Sequence, residues 1–348
     1  MRSKLRVTFR DIAKAAGVAP STVSLALRNS QRISLEARER IRAVAESLGY
    51  QPNPLLAIYQ ASVRASKPQE YQATLAWIDD SPDEHKWARP WMKPLLEGAR
   101  ERASVLGYRL DEIRLPHLNP QEAMENFRRW ERILRARQIY GVILPWMELR
   151  QHIQLPWEGF SVVCVGKYRV LNEGTSTELT GQHHYVSSDD ALNLLTALLR
   201  LRESGCRRIG LAISTYNDAE TDKAYSAVFV RECLDWPSEE VIPILYSDHV
   251  PDLLPWVRHY RPDAIICGHS GVRPGLEAAG YKIPGDFRLV HLNIAPDVAD
   301  WTGIDRRLDC IASAAIDLLS AHMIRNETGV PPFAKGVSIK GVWAEGQT

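Results

Sequence analysis

The chain has 348 residues, of which 45% are hydrophobic and 24% are charged, and its formal net charge at pH 7 is +1. It holds no apolar run of about 18 residues that could span a bilayer, and the N-terminal segment MRSKLRVTF lacks the apolar stretch of an export signal. Five scattered cysteines suit a reducing compartment and show no zinc-ligand spacing. We therefore expect a cytoplasmic protein without a membrane span, a metal or a cofactor.

Charge is divided unevenly along the chain. Residues 1–67 contain 12 basic and 4 acidic side chains, a net charge of +8. The remaining residues contain 31 basic and 38 acidic side chains, a net charge of −7. A small basic head on an acidic body fits phosphate contact by the head and repulsion of nucleic acid by the body.

Residues 7–52 have the pattern of two short amphipathic helices, a three-residue turn between them, and a longer third helix. Thr8 is the expected N-cap of the first helix, with Asp11 in the position of a capping-box carboxylate. Gly17 ends this helix, because a residue without a Cβ turns there at low cost. Pro20 opens the second helix, where a first turn tolerates proline.

The apolar spacing of these helices predicts a shared core and a free face on the second helix. Ser21, Thr22, Leu25 and Arg28 are expected to face outward. The predicted inward positions are Phe9, Ile12, Ala13, Ala16, Val23, Ala26, Leu27, Ile41, Val44, Ala45 and Leu48. This pattern is typical of a helix–turn–helix that lies in a DNA major groove; the alternative is a three-helix packing module, and the basic charge favours DNA.

A linker follows at 52–70, where Pro52 and Pro54 precede about two turns of helical sequence from Leu55 to Ser62. A helix this short is not stable alone in water, so the alternative is a flexible tether. Beyond Tyr71, apolar runs of strand type alternate with helical stretches. The predicted strands are 73–78, 140–146, 160–166, 208–214, 263–268 and 287–293, and the predicted helices are 92–106, 120–138, 189–204, 219–235, 270–279 and 307–325. Such alternation over roughly 270 residues predicts two α/β lobes with parallel sheets.

The segments DIAKAAGV, STVS and IRAVAESLGYQPN resemble, in order and spacing, the head of LacI/GalR-type transcriptional regulators. The resemblance implies an all-α helix–turn–helix head joined to an α/β, two-lobed, periplasmic-binding-protein-like (type I) core. In that core the chain crosses between the lobes three times, and a ligand occupies the cleft. The implied divisions are a head at 1–51, a hinge at 52–70 and an effector-binding and dimerisation domain at 71–348, with lobe 1 at about 71–187 and 302–328 and lobe 2 at about 188–298 and 333–345.

The resemblance also implies which residues contact DNA, and two of them depart from the family. Leu25 stands where the family has the Arg that reads guanine edges, so Arg28 either replaces it or holds a phosphate. Tyr59 stands where the family has a Leu that wedges open a base step, unless Leu55, Leu56 or Ile58 takes that role. The predicted DNA-binding residues are Thr8, Pro20, Ser21, Thr22, Ser24, Leu25, Arg28, Arg32, Asn53 and Tyr59.

Several ligand-contacting positions of the family are changed here. Asp189 takes the place of an aspartate, His269 replaces part of a polar pair, and Asn293 replaces an aspartate. Lys223 stands where the family has an Arg that clamps sugars. Relatives' effectors therefore cannot be transferred to this chain.

Strand ends supply further candidates, because carboxylates bind sugar hydroxyls and aromatic rings cover the apolar faces of sugars. The predicted effector-binding residues are Asp79, Asp80, Trp91, Trp146, Asp189, Lys223, His269 and Asn293. The alternatives are core or interface packing for the tryptophans, and helix caps or surface charges for the aspartates and Lys223.

No nucleophile–base set or phosphate loop stands out, so we expect a regulator and neither an enzyme nor an exported sugar-binding protein. The expected partners are double-stranded operator DNA, a small molecule of carbohydrate type and a second copy of the chain, and the expected location is the nucleoid. The sequence favours a repressor but leaves open whether the small molecule releases or promotes DNA binding.

Overall fold

A computed structural model gives the fold. It describes residues 7–27, 33–48, 50, 73–79, 89–90, 92–114, 120–145, 157–166 and 183–348. Seven predicted site residues lie outside these ranges: Arg28, Arg32, Asn53, Tyr59, Asp80, Trp91 and Trp146. Among the residues within them, no helix has the length and apolar character needed to cross a membrane.

The head consists of α1 (Phe9–Ala16), α2 (Pro20–Leu27) and α3 (Leu35–Ser47). Their inward faces form a small core of Ile12, Ala13, Val23, Ala26, Ile41 and Ala45. Each of these six was predicted to be buried from the helical spacing. The prediction for Leu48 is wrong, because this residue ends α3 and is 39% exposed.

The body alternates strands and helices. In chain order its elements are β1 (Ala73–Asp79), α4 (Lys93–Val105), β2 (Tyr108–Arg114), α5 (Pro120–Ala136), β3 (Gly141–Leu144), β4 (Ser161–Val165), β5 (His184–Ser188), α6 (Asp190–Glu203), β6 (Ile209–Ala212), α7 (Thr215–Glu220), α8 (Ala224–Cys233), α9 (Val250–Tyr260), β7 (Ala264–Cys267), α10 (Val272–Ala278), β8 (Arg288–His291), β9 (Thr302–Asp305), α11 (Leu308–Arg325), β10 (Gly336–Ile339) and β11 (Val342–Ala344).

Two sheets organise these elements and confirm the α/β class. The first sheet is parallel, with strand order β2-β1-β3-β4-β5-β10, and the second has the order β6-β7-β8-β9-β11, in which β11 is antiparallel to β9. Both faces of each sheet are covered. Along β1, Leu75 and Trp77 enter one core cluster, whereas Ala76 and Ile78 enter the cluster on the opposite face. This explains why the strand reads as a continuous apolar run.

The chain crosses between the two sheets at three places, between β5 and α6, between β9 and α11, and between β10 and β11. Two segments belong to a different lobe from the one that the sequence predicted for them. Thr302–Asp305 pairs with β8 and β11 of the second sheet, although it was assigned to lobe 1. Gly336–Ile339 pairs with β5 of the first sheet, although it was assigned to lobe 2. Backbone pairing with distant strands fixes these positions, and local sequence does not encode it.

Candidate functional site

A capping box of Thr8 and Asp11 stabilises the N-terminus of α1. Thr8 donates from its amide (2.8 Å) and from its hydroxyl (2.7 Å) to Oδ2 of Asp11. These hydrogen bonds, the hydroxyl's first, hold the pKa of Asp11 below its ordinary value. At the other end, Gly17 has a φ of 68°, in the left-handed region that glycine adopts without strain. The three residues 17–19 therefore form the turn between α1 and α2 that the sequence predicts.

The surface of α2 is accessible where DNA contacts were predicted. Pro20 and Ser21 are exposed, and Thr22, Ser24 and Leu25 are partly exposed. The remaining side chains of α2 that point inward belong to the head core described above. The helix thus presents short polar groups and one leucine to solvent, and these can hydrogen-bond or pack against base edges.

A cavity of about 390 Å³ lies between the two sheets of the body. Its wall includes Ser187 and Ser188 at the end of β5, His269 after β7, Asn293 after β8 and Arg306 after β9. In parallel α/β sheets ligands gather at the carboxyl ends of strands, and this cavity has that position. Its volume is within the range of roughly 300–1,000 Å³ that small-molecule sites occupy.

One wall of the cavity holds a buried ion pair. Nη2 of Arg306 donates to Oδ1 of Asp190 over 2.9 Å, and the hydroxyl of Tyr225 lies 3.4 Å from the same oxygen. Burial first, and then the charge of Asp190, raise the pKa of Tyr225, which therefore stays a neutral donor. For Arg306 burial opposes the charge, but Asp190 and Tyr225 outweigh it and raise the pKa.

Three other polar atoms of cavity-lining residues are buried and have no hydrogen-bond partner among the described residues. They are Oγ of Ser187, Nε2 of His291 and Oδ1 of Asn293. Burial lowers the pKa of His291 to about 4, so this ring is neutral at pH 7. Its Nδ1 lies 2.8 Å from the carbonyl oxygen and 3.1 Å from the amide nitrogen of Asn293. Buried polar groups are normally paired, so each of these three atoms retains an unused capacity for a hydrogen bond.

The predicted effector residues separate into two groups. His269 and Asn293 line the cavity. Within the described chain, Asp79, Asp189 and Lys223 are not among the lining residues. Asp79 lies 3.9 Å from the guanidinium of Arg114 at the end of β1.

Asp189 caps α6 by accepting from the amide of Leu192 over 3.1 Å, and Lys223 precedes α8 with a φ of 60°. Both residues therefore lie at the N-terminus of a helix, which is the position that the helix-cap alternative gives them. Sequence reasoning missed Ser187, Asp190, Tyr225, His291 and Arg306 as lining residues. The segment VSSDD did point to Asp190, but only as the neighbour of the favoured Asp189.

Residues 8–53 match the model of the family described as bacterial regulatory proteins, lacI family. The head of the chain is thus a lacI-family head. A regulator of this family, GalR of Streptococcus thermophilus, is 24% identical over 306 residues, which cover 82% of this chain and 82% of GalR. The LacI family comprises DNA-binding regulators and not enzymes.

Solved structures of LacI-family regulators share the fold. The transcriptional regulator CelR in complex with cellobiose has a TM-score of 0.58 at 19% identity, over 98% of this chain and 99% of CelR. The Lac repressor dimer bound to operator and the anti-inducer ONPF has a TM-score of 0.56 at 14% identity, over 99% of both chains. The fold of this chain is thus that of these two regulators.

Proposed function

We propose that this protein is a transcriptional repressor that binds double-stranded operator DNA as a homodimer, and that a carbohydrate in the cavity sets its operator affinity. The three buried, unpaired polar atoms of Ser187, His291 and Asn293 carry the proposal for the ligand. A sugar hydroxyl both donates and accepts, so it can satisfy each of them, whereas an apolar ligand would leave all three unsatisfied.

The relatives support the two kinds of partner. The CelR structure holds cellobiose, and the Lac repressor structure is a dimer on its operator. For this chain we place the DNA contacts on α2 and the sugar contacts on the cavity wall, with a head at 1–51, a hinge at 52–70 and the body beyond. Two heads on one dimer read two half-sites, and a cytoplasmic location follows from binding chromosomal DNA.

Selection from fragmented host chromosome tests the proposal. We expect the full chain to enrich fragments that contain an inverted repeat. Fluorescence anisotropy on an enriched fragment should then show at least a tenfold affinity change with one or more members of a panel of neutral mono- and disaccharides. Failure to enrich any fragment would contradict the DNA-binding role; enrichment without any sugar response would contradict the carbohydrate.

A matched pair of variants locates the DNA-binding face. Ser21→Asp places a negative charge on the exposed surface of α2, and we expect at least tenfold weaker operator binding because of phosphate repulsion. Ser238→Asp adds the same charge at an exposed position of the body and serves as the control. Equal effects of the two substitutions would show that α2 does not face DNA.

A further inference from the structure

Two buried histidines stack on each other beside the first sheet. His184 is the first residue of β5, and His322 lies in the last turn of α11. Their ring centroids are 4.3 Å apart, the ring planes differ by 9°, and neither residue lines the cavity between the sheets. They are only 8% and 2% exposed. Two rings this close and this buried strongly repel each other if both carry a positive charge.

The hydrogen bonds of this histidine pair fit two neutral rings. Nδ1 of His184 accepts from the amide of Lys335 over 2.9 Å, so this ring carries its proton on Nε2. Glu327 is ionised, since its hydrogen bonds, the one from Arg325 first, lower its pKa to about 2. It therefore accepts from Nδ1 of His322, whose Nε2 is buried and has no partner among the described residues. Neither ring thus has an acceptor ready for a second proton.

The charges around the pair also oppose protonation. Arg325 and Lys335 are its cationic neighbours, and Glu327 is its anionic one. The carboxylate of Glu327 already receives two hydrogen bonds from Arg325, of 2.7 and 3.0 Å. On β5 the adjacent His183 is kept neutral by its own burial. Burial is the first cause that lowers the pKa of both rings of the pair, and the two cations lower it further.

The histidine pair holds the segment that brings the chain back to the first sheet. This return segment, residues 326–335, connects α11 to β10, and six of its ten residues are exposed. Hydrogen bonds therefore hold it in place. The carbonyl of Glu327 accepts from the hydroxyl of Ser161 over 2.8 Å, and the carbonyl of Lys335 accepts from the amide of Tyr185 over 3.0 Å. Since the Lys335 amide bonds to the pair, one imidazole nitrogen fixes the start of β10.

We propose that the histidine pair is an acid-sensitive fastening of the return segment. While both rings are neutral, the segment and the start of β10 stay on the first sheet, and uptake of one proton releases them. The proton forms an N–H bond at Nδ1 of His184, where the hydrogen bond from the Lys335 amide is lost, or at the buried Nε2 of His322. In the released segment the rings are in water and have ordinary basicity, so acid favours release. No ligand of the cavity is involved.

Hydrogen exchange of the full chain at pH 7.5 and 5.5 tests the release. Each rate is divided by the intrinsic exchange rate at the same pH, so that the ratio reports opening alone. For one proton taken up with an ordinary pKa of about 6.5, opening rises about tenfold over this interval. We expect the amides of Gly329, Lys335 and Tyr185 to lose at least tenfold protection. At pH 5.5 they should exchange at least tenfold faster than the amides of β3, in the same sheet.

A double variant, His184→Gln/His322→Gln, removes the titration. One glutamine can accept from the backbone amide and the other can donate to the carboxylate, but neither takes up a proton in this range. Protection of the return segment should then change less than threefold between the two pH values. His249→Gln/His259→Gln, at two exposed positions of the body, is the matched control and should keep the full pH response.

A return segment that keeps its protection at pH 5.5 in the unsubstituted chain, or exchanges only as fast as β3, would overturn the proposal. So would a full pH response in the double variant. If the double variant already exchanges rapidly at pH 7.5, imidazole ¹⁵N resonances of the unsubstituted chain decide instead. Rings of the pair that gain a proton while the segment stays protected would contradict the fastening, whereas protonation and release at the same pH would support it.

Discussion

Two buried serines on neighbouring strands have opposite surroundings. Ser187 on β5 is 4% exposed, lines the cavity, and its hydroxyl has no partner among the described residues. Ser161 on β4 is 2% exposed, and its hydroxyl donates to the carbonyl of Glu327 over 2.8 Å. A buried hydroxyl without a partner costs free energy, whereas a paired one satisfies a second buried group. The difference supports the proposal that Ser187 contacts the ligand, whereas the hydroxyl of Ser161 already has a partner within the fold.

Ser187→Ala should therefore leave the free energy of unfolding unchanged or raise it by about 1 kcal/mol, while weakening sugar binding about tenfold. Ser161→Ala should lower the free energy of unfolding by about 1–3 kcal/mol, because the Glu327 carbonyl loses its partner, and leave sugar affinity unchanged. Urea denaturation and titration calorimetry measure the two quantities. Loss of stability in Ser187→Ala would show that its hydroxyl is paired in the ligand-free protein.

Because His291 is buried, we expect the free energy of unfolding to fall in acid. Burial lowers its pKa to about 4, so between pH 6.5 and 4 the unfolded chain binds a proton that the folded chain does not. Its contribution to stability is thus full above pH 6.5 and falls with decreasing pH, at up to about 1.4 kcal/mol per pH unit. Burial, followed by the charge of His184, also lowers the pKa of His183 to about 4, which adds to the effect.

We expect His291→Gln to lose less stability than the unsubstituted chain when the pH is lowered from 7 to 5. Denaturation curves at both pH values give the comparison. His259→Gln, at an exposed position on α9, should keep the pH dependence of the unsubstituted chain. An identical pH dependence in His291→Gln would mean that His291 does not remain neutral in the folded state.

At the scale of elements, the sequence predicts six of the described strands and misses β2, β5, β9, β10 and β11. Strands β1, β3, β4, β6, β7 and β8 read as apolar runs, since helices cover both of their faces. The sheet-edge strands β2 and β10 carry polar residues and depend on pairing with distant strands. The predicted helix 219–235 is broken, because Asp222 and Lys223 have positive φ angles.

The same distinction explains which residues of the cavity wall the sequence predicted and which it missed. His269 and Asn293 were predicted because the family resemblance places each at a ligand-contacting position, and each follows a strand that the sequence predicts. Arg306 follows β9, which the sequence did not reveal, and Tyr225 reaches the cavity from a helix. Their roles depend on contact with Asp190 across the fold. Long-range pairing of this kind leaves no local pattern in the sequence.

Gly341 allows a test at this scale. Gly341→Ala should destabilise the protein by about 1–3 kcal/mol, since its Cβ would overlap the Asp305 carbonyl and the Asn193 side chain. Lys340→Ala, at the neighbouring exposed position, should change stability by less than about 0.5 kcal/mol. Thermal unfolding measures both. Equal melting temperatures for the two variants would show that the crossovers have room for a side chain at Gly341.

For the whole molecule, charge and architecture agree. The basic head has a core of its own, separate from the clusters that cover the two sheets of the acidic body. Residues 1–67, with a net charge of +8, suit contact with phosphates, and the remaining residues, with a net charge of −7, discourage nonspecific wrapping of DNA. Contact with DNA should therefore be confined to the head.

Operator affinity should accordingly fall steeply with salt. For six or more phosphate contacts, raising KCl from 50 to 200 mM lowers affinity by roughly 10³-fold or more. Anisotropy titrations at several salt concentrations measure the slope, and binding of a neutral sugar, which should not change, is the control. An operator affinity that falls by less than threefold would contradict phosphate-dominated binding.

The return of α11 and β10 to the first sheet has a consequence for biosynthesis. The head core lies within residues 12–45, so it is synthesised before the strands of the two sheets. The first sheet receives its edge strand Gly336–Ile339 and the long helix Leu308–Arg325 only after strands β6 to β9 of the second sheet have been synthesised. Domains generally fold as their residues emerge. In each newly made molecule the head can therefore fold before the two sheets that surround the cavity are complete.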